Sequence, residues 1–353
     1  MGALTTPPPG WPPFLPHGAP PAPLPPRKLW PRALATAGGA LVLAAAIAAA
    51  LALRSLGAPG PLARDQTVAI ARGASLRDIA RQLEAAGVVA EATRFEWAAR
   101  LLAAGSPLKA GEYRFPAGAS LRAALGLIRS GRTVLHALTV PEGLTGAQIA
   151  ALLEATEALD GSLAGPIGEG EVLPETYYFA RGDGREELVR RMAAGMSEAL
   201  AELWETRADG LPLQSPREAL ILASIVEKET GRDDERRRVA AVFVNRLKLG
   251  MRLQSDPTAV YALNQGAGPL GRALTREDLA RPSPYNTYVV DGLPPGPISN
   301  PGRASIMAVL DPASSKELFF VADGAGGHAF AETLAQHLRN VARWRELQQQ
   351  RRP

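Results

Sequence analysis

The chain has 353 residues, 46% of them hydrophobic, a formal net charge of +4 and no cysteine. The missing cysteine excludes disulfides, thiol nucleophiles and thiolate metal sites. The small charge, with no basic and aromatic-rich stretch, argues against nucleic acid as a partner, and the length accommodates a membrane anchor plus two modest domains.

The first residues predict a tail and a membrane anchor. Residues 1–32 are dense in proline and predict a disordered tail. Residues 33–53 form 21 positions without a charge, and about 20 apolar residues span a bilayer as a helix. A cleaved signal peptide is the alternative, but this segment is long for one and begins far from the N-terminus. More basic residues precede the segment than follow it, which predicts a cytoplasmic N-terminus.

After a predicted linker at residues 54–64, one pattern occurs three times within residues 65–155. Each copy has an apolar residue, a glycine three positions on, a Ser or Thr two positions later and then a helical apolar period. The copies are IARGASLRDIARQL (70–83), FPAGASLRAALGLI (115–128) and VPEGLTGAQIAALL (140–153). We interpret each as a strand, a turn, an N-capping hydroxyl and a helix. In the third copy, Thr145 and Gln148 have the spacing of a capping box.

Small βα units of this type resemble LysM modules, which bind the N-acetyl sugars of glycan strands. The alternative is a generic α+β module whose repeats only pack together. The pattern predicts the fold of residues 65–155 more strongly than it predicts sugar binding.

Residues 156–345 differ in composition from the repeats and predict a mixed α+β domain, followed by a polar end at residues 346–353. We expect helices at about 185–206 and at about 235–249, the second with Gly250 as its C-cap. Between them, Ser215 and Glu218 predict a capping box that opens another helix. The loops that follow are rich in Pro, Gly, Asn and Tyr, as is typical of a binding cleft, and the last 25 residues predict a polar helix.

Several catalytic signatures are missing. The four histidines are dispersed without an HExxH pair, so we expect no metal site. There is no GxSxG motif and no phosphate-binding loop, and we expect no cofactor. An SxxK spacing at Ser106 and Lys109 lies in a Gly-Pro turn and is interpreted as chance. The remaining candidates are carboxylates and hydroxyls in a groove lined by loops.

Two of those carboxylates, Glu227 and Glu229, lie two residues apart at the end of the helix capped by Ser215. They project to roughly opposite sides, because each helical residue turns about 100°. The more apolar stripe, through Leu222, Ile225 and Val226, leads to Glu229. Burial and the negative end of the helix would both raise its pKa, as a proton donor at neutral pH requires. The alternative is that both glutamates are solvated and pair with nearby arginines.

The residues around this pair resemble those of the YceG-like family of endolytic murein transglycosylases. The similarity is carried by ASIVEKET, ERRRVAAVFVNRLKLGMRLQSDPTAVYAL, PSPYNTYVVDGLPPGPISNPG and FFVADGAGGHAF, in that order. It implies a single N-terminal membrane helix, a LysM-like subdomain and a catalytic domain. It also implies an inner-membrane protein whose catalytic domain is periplasmic and whose partners are peptidoglycan strands and peptidoglycan synthases.

The resemblance implies a non-hydrolytic cut of the β-1,4 bond between N-acetylmuramic acid and N-acetylglucosamine in nascent strands. The family's catalytic glutamate corresponds to Glu229, which would protonate the glycosidic oxygen and then accept the proton of the C6 hydroxyl. A 1,6-anhydro end results, and no second carboxylate is needed to activate water, unlike in two-carboxylate glycosidases. Glu227 would be an orienting or structural neighbour.

Other positions match loops of the family and are candidates for substrate contact or for bracing the loops. They are Glu175, Tyr177, Asn245, Gln254, Ser255, Asp256, Thr258, Tyr285, Asn286, Thr287, Tyr288, Asp323, His328 and Phe330. Two other functions remain open. One is a membrane-tethered protein that binds peptidoglycan without cutting it. The other is a hydrolytic muramidase that uses Asp256 or Glu175 as its second carboxylate.

Overall fold

Helix α1, Trp30–Ser55, forms a unit of its own. The computed structural model describes Gly2, residues 30–102 and residues 107–350, with only the backbone for residues 30–35. Residues 36–55 have a mean hydropathy of 2.1, so by length and composition α1 can cross a membrane. The helix begins three residues before the predicted span, because a proline is tolerated in a first helical turn. The rest of the predicted tail and Ser106 lie outside the described residues.

The second unit, Pro59–Pro353, begins with a two-stranded antiparallel sheet and three helices. In chain order they are β1 (Gln66–Ile70), α2 (Leu76–Ala85), α3 (Ala92–Leu102), β2 (Gly111–Phe115) and α4 (Leu121–Ser130). Their core contains the fully buried side chains of Leu83, Phe95, Tyr113, Phe115 and Ile128. Helix α3 has no counterpart in the repeated sequence pattern.

The local structure of the three repeats is confirmed. The glycines of the three turns have positive φ angles of 78°, 67° and 73° at Gly73, Gly118 and Gly143. The hydroxyls of Ser75, Ser120 and Thr145 then cap the helices that follow. The capping box of the third copy is present, since Gln148 also accepts a bond from the Thr145 N–H.

The third repeat packs against the residues that follow it in the chain. Strand β3 (Leu135–Thr139) precedes α5 (Gly146–Glu154) and pairs antiparallel with β5 (Thr176–Ala180). The short strands β4 (Leu159–Asp160) and β6 (Asp183–Gly184) pair in parallel, and α6 covers Arg185–Glu205. The shared sheet and a common core cross the predicted domain boundary at residues 155 and 156, so the first two repeats form a module without the third.

The remaining elements include one helix that is buried on all sides over most of its length. This helix is α7 (Pro216–Glu229), and it is followed by α8 (Asp233–Lys248), α9 (Asp256–Asn264), α10 (Arg276–Ala280), α11 (Arg303–Leu310), β7 (Phe319–Ala322), β8 (His328–Ala331) and α12 (Leu334–Gln350). Strands β7 and β8 form an antiparallel hairpin. Residues 219–226 of α7 are all buried, because α6, α8, α9 and α11 contact different sides of the helix.

Helix boundaries depart from the prediction in three details. Ser215 caps α7 as expected, but the carboxylate of Glu218 accepts the N–H of Gln214, 2.7 Å away, so the reciprocal bond of a capping box is not made. Helix α8 starts at Asp233, two residues before the predicted start. The acidic residues of its first turn stabilise the helix by interacting with the positive end of its dipole. Gly250 has a φ of 68° one residue after the C-cap, which is Leu249.

Candidate active site

Glu229 is the last residue of α7 and is half-buried. Its Oε1 accepts a hydrogen bond of 2.5 Å from the hydroxyl of Ser255. Glu227 has a different environment, because its Oε2 accepts the backbone N–H of Gly302 at 2.9 Å and its charge contributes, after burial, to the raised pKa of Glu142. The predicted divergence of the two side chains is thus present. The apolar stripe alone does not distinguish them, since the helix is buried on all sides before them.

Burial raises the pKa of Glu229 from an ordinary value of 4.5 to about 7. The hydrogen bond from Ser255 opposes the rise because it stabilises the carboxylate, the charge of Asp256 adds to it and the charge of Arg246 reduces it. A carboxyl with a pKa near 7 is populated in both protonation states at neutral pH. It can therefore donate a proton in one step and accept one in the next.

Glu229 lines a cavity of about 370 Å³. The walls come from α8, from the loop before α9, from the loop that carries Tyr288, from the β7–β8 hairpin and from α12. Polar groups in the lining are Arg246, Gln254, Asp256, Tyr288 and His328. Aromatic groups are Phe243, Phe320 and Trp344. A concave site with aromatic walls and convergent polar groups is suited to a sugar.

Ser255 is held by a buried set of hydroxyls. The residue is 1% exposed, and its N–H donates to Oγ1 of Thr287 at 3.0 Å. Thr258 donates to the carbonyl of Ser255 at 2.6 Å and lies 2.7 Å from Thr287 through the two hydroxyl oxygens. Thr258 and Thr287 are fully buried. Both side chains therefore brace the loop behind Glu229. Bracing a loop is one of the two roles, with substrate contact, that the sequence leaves open for them.

Asp256 and Tyr288 form a pair at the mouth of the cavity. The hydroxyl of Tyr288 donates to Oδ1 of Asp256 at 2.5 Å, and burial together with this bond raises the pKa of Tyr288. Asp256 is exposed. Gln254, with a φ of 49°, turns its side-chain oxygen to Arg246 at 3.3 Å. These three predicted residues line the same cavity as Glu229.

Arg246 is a charged cavity residue that the sequence prediction missed. It is 7% exposed and donates to the carbonyls of Leu318 at 2.7 Å and Leu253 at 2.8 Å. Burial lowers its pKa, opposed by the nearby Tyr288 and Glu229. A signal was available, because an arginine three positions after a buried phenylalanine on an amphipathic helix extends the buried face. Trp344 was also missed, on a helix whose sequence pattern is polar.

Several predicted residues lie in other surroundings. Asn286 is fully buried and donates to the carbonyls of Leu279 and Arg281, while Asn245 donates to those of Ser315 and Glu317. Their amide hydrogens brace loops.

Tyr177 lies in β5, and Glu175 directly precedes this strand. The hydroxyl of Tyr177 donates to the carbonyl of Leu173 at 2.7 Å, and burial raises its pKa to about 12. Glu175 is exposed and pairs with Arg303 at 3.5 Å. Neither residue is part of the lining of the Glu229 cavity.

The β7–β8 hairpin holds the last group of predicted residues. Asp323 accepts the N–H groups of Ala325 and Gly327 and so shapes the turn. His328 lines the cavity and pairs through Nδ1 with Glu235 at 2.8 Å. Phe330 packs against Arg238 and the main core. Outside the hairpin, the ring of Tyr285 contacts that of Tyr261 at an angle of 52°, with ring centres 4.9 Å apart.

Comparison with known proteins gives one consistent family. A profile of the YceG-like family matches residues 68–343. Relatives from two Streptococcus pneumoniae strains, both named endolytic murein transglycosylase, are 31% identical over an alignment of 326 residues. The match covers 78% of this chain and 58% of theirs. A Bacillus subtilis protein of the same name is 30% identical over an alignment of 300 residues, and the match covers 76% of this chain and 81% of its own.

The chain therefore spans less than two thirds of the length of the pneumococcal relatives. Among solved structures, a YceG-like protein of Listeria monocytogenes is 30% identical. The match covers 78% of this chain and 98% of that one, with a TM-score of 0.49.

Proposed function

The chain belongs to the YceG-like family, and from that premise we propose that it is an endolytic murein transglycosylase. The observation that carries the proposal is a half-buried glutamate, Glu229, whose pKa of about 7 suits a proton donor at neutral pH and which faces a cavity with aromatic walls. The named relatives support the same reaction class, a lyase acting on the glycan strands of peptidoglycan.

The proposed bond is the β-1,4 link between N-acetylmuramic acid and N-acetylglucosamine in nascent strands. Protonated Glu229 donates its proton to the glycosidic oxygen while the bond from that oxygen to C1 of the muramyl sugar breaks. The carboxylate then accepts the proton of the C6 hydroxyl of the same sugar, and O6 bonds to C1. The products are a free 4-hydroxyl and a 1,6-anhydro end, so no water is consumed and elongation of the cut strand ends.

The bond from Ser255 assigns different tasks to the two oxygens of Glu229. Oε1 is occupied by the Ser255 hydroxyl, so Oε2 is the oxygen we assign to the proton transfers. Because the Ser255 hydroxyl stabilises the carboxylate form, it favours the proton donation that starts the reaction. Arg246 acts in the same direction through its charge. Together they keep the pKa near 7 despite burial.

The apolar helix α1 supports a single-pass membrane protein. The charge bias across residues 33–53 supports a cytoplasmic N-terminus and a catalytic domain in the periplasm, anchored in the inner membrane. Strands leaving a synthase would be the substrate at that location, which makes peptidoglycan synthases the proposed partners. The order β–α–α–β in residues 66–115 supports a LysM-like glycan-binding role for this part of the chain.

The full-length protein in detergent should cleave uncrosslinked glycan strands, and mass spectrometry should detect 1,6-anhydro ends. Reducing ends instead would identify a hydrolase, for which Asp256 in the same cavity would be the second carboxylate. Binding of strands without any cleavage would establish the tethered binding protein as the correct alternative.

A further inference from the structure

A second cavity, of about 330 Å³, adjoins the cavity of Glu229. Asp256 lines both cavities, and Lys228, which lines the second, directly precedes Glu229 at the end of α7. The side chain of Asp256 therefore lies between the second cavity and the cavity of Glu229. None of the catalytic or bracing roles proposed for residues around Glu229 involves the second cavity.

The wall of the second cavity is largely apolar. Pro257, Val260 and Tyr261 contribute to it from α9, and Ile298 contributes from the loop before α11. Faces of this kind accept the C–H side of a sugar ring or an acetyl methyl group. Burial raises the pKa of Tyr261 to about 12, and its hydroxyl is hydrogen-bonded to the side chain of Glu169.

Polar groups enter the cavity from two separate parts of the chain. Asn264 is the last residue of α9, and Gln148 lies in the first turn of α5. The ammonium of Lys228 donates to the carbonyl of Gly143 at 3.1 Å. An ammonium has three hydrogens, so Lys228 can hold this carbonyl and still bind an anionic group of a ligand.

The two parts of the chain are fixed to each other. The hydroxyl of Thr145 donates to the carbonyl of Gly266 at 2.9 Å, and the N–H of Gly146 donates to Glu169 at 3.1 Å. Burial raises the pKa of Glu169, opposed by this bond and by the charge of Lys228. The cavity is thus a preformed space between α5 and α9.

We propose that the second cavity binds the N-acetylated sugar of the strand that lies across Asp256 from the sugar held at Glu229, and that Lys228 binds a carboxylate of the peptide stem on that strand. The inference rests on the proposed function, since a cut in the interior of a strand requires covalently continuous sugar on both sides of the broken bond. The apolar wall takes the ring and acetyl group. The side-chain oxygen of Gln148 accepts the N–H of Thr145, and its NH₂ group can donate to the carbonyl of the acetamido group.

The test measures binding to the full-length Glu229→Gln protein in detergent by calorimetry. The probes are uncrosslinked glycan strands with peptide stems and the same strands after an amidase has removed the stems. Val260→Trp fills the cavity and should weaken the binding of both probes by about tenfold or more. Lys228→Met should weaken the binding of stem-bearing strands by about tenfold and leave stripped strands nearly unaffected, as expected for one charge-assisted hydrogen bond.

Lys248→Met is the matched control, because Lys248 is exposed at the end of α8 and is not part of either lining. It should leave both affinities unchanged. Unchanged affinities in Lys228→Met and Val260→Trp would overturn the inference, and so would a failure of both probes to bind. Equal losses of both probes in Lys228→Met would overturn the assignment of Lys228 to the stem.

The two proposals can fail separately. Cleavage by the protein with Glu229 intact, combined with unchanged binding in Lys228→Met and Val260→Trp, rejects the second cavity and keeps the transglycosylase. No cleavage, combined with the predicted losses of affinity, rejects the transglycosylase and keeps the second cavity as a glycan site. Lys228→Met also removes the hydrogen bond to the carbonyl of Gly143, and the stripped strands report any change of the cavity that this loss causes. The test therefore does not depend on the folding of Val260→Trp.

Discussion

Ser255, itself only 1% exposed, donates a hydrogen bond of 2.5 Å to Oε1 of Glu229. One residue in the last turn of α7 and one in the loop before α9 are thereby joined. The bond fixes the carboxyl of Glu229 and lowers a pKa that burial alone would raise further. The pair therefore sets both the position and the proton affinity of the proposed acid.

Glu229→Gln should reduce strand cleavage by about 10²- to 10⁴-fold, the usual contribution of a general acid or base. The amide preserves the size of the side chain but donates no proton to a glycosidic oxygen. Cleavage is measured by release of 1,6-anhydro products, with circular dichroism as a check of folding.

Glu227→Gln is the matched control for that experiment. Its remaining side-chain oxygen can still accept the N–H of Gly302, so cleavage should stay within a few-fold of the unsubstituted protein. An inactive Glu227→Gln protein together with an active Glu229→Gln protein would reverse our assignment of the two glutamates.

The raised pKa of Glu229 also predicts how stability depends on pH. Between its ordinary value of 4.5 and the folded value of about 7, the folded state binds the proton more tightly than the unfolded state. The stability that this proton contributes is present at low pH and decreases as the pH rises through that window, by at most about 1.4 kcal/mol per pH unit. Above about pH 7 the contribution of this group is constant.

Urea unfolding at several pH values between 4.5 and 8 checks this dependence. The carboxyls of Glu142 and Glu169 also have raised pKa values, so the free energies of unfolding of the two proteins must be compared by difference. The unfolding free energy of Glu229→Gln minus that of the unsubstituted protein should rise with pH across the window. A difference that is flat with pH would mean that Glu229 titrates near its ordinary value.

Much of this arrangement could be predicted from local sequence. The three capping hydroxyls, the positive-φ glycines and the limits of α6 follow from short-range rules, and all three agree with the structure. The opposite directions of Glu227 and Glu229 also follow from helical geometry alone. These features depend on residues no more than a few positions apart.

Other features depend on long-range packing and could not be predicted in the same way. The polar residues Thr258, Asn286 and Thr287 were candidates for sugar contact, yet all three are fully buried. Loops packed against a core need internal partners for their polar groups, and a sequence pattern does not distinguish that use from ligand binding. Trp344 reaches the cavity from a helix more than a hundred residues after Glu229, which no local pattern indicates.

Ser255→Ala removes the donor that stabilises the Glu229 carboxylate. The pKa of Glu229 should then rise, and the alkaline limb of the kcat/KM profile should move to higher pH by about 1. A merely structural role of Ser255 would lower the rate at every pH without moving the limb.

Ser197→Ala is the control for Ser255, since the Ser197 hydroxyl bonds only within α6 to the carbonyl of Ala193 and is exposed. Its pH profile should match that of the unsubstituted protein. If Ser255→Ala also keeps that profile, the hydrogen bond does not tune the acid.

Gly146→Ala should destabilise the protein, although alanine is normally the better helix former. A Cβ at Gly146 would lie 1.8 Å from the carbonyl oxygen of Ile167, a backbone atom that cannot rotate away. Relieving such a clash moves the start of α5 and costs about 1–3 kcal/mol or more.

The Gly126→Ala substitution in α4 is the matched control, because no atom lies within 4 Å of the new methyl group. It should stabilise the protein by about 0.5–1 kcal/mol. Both substitutions reduce the entropy of the unfolded chain equally, so the difference between their unfolding free energies measures the clash. Equal stabilities of the two variants would mean that α5 is not held against residue 167 as described.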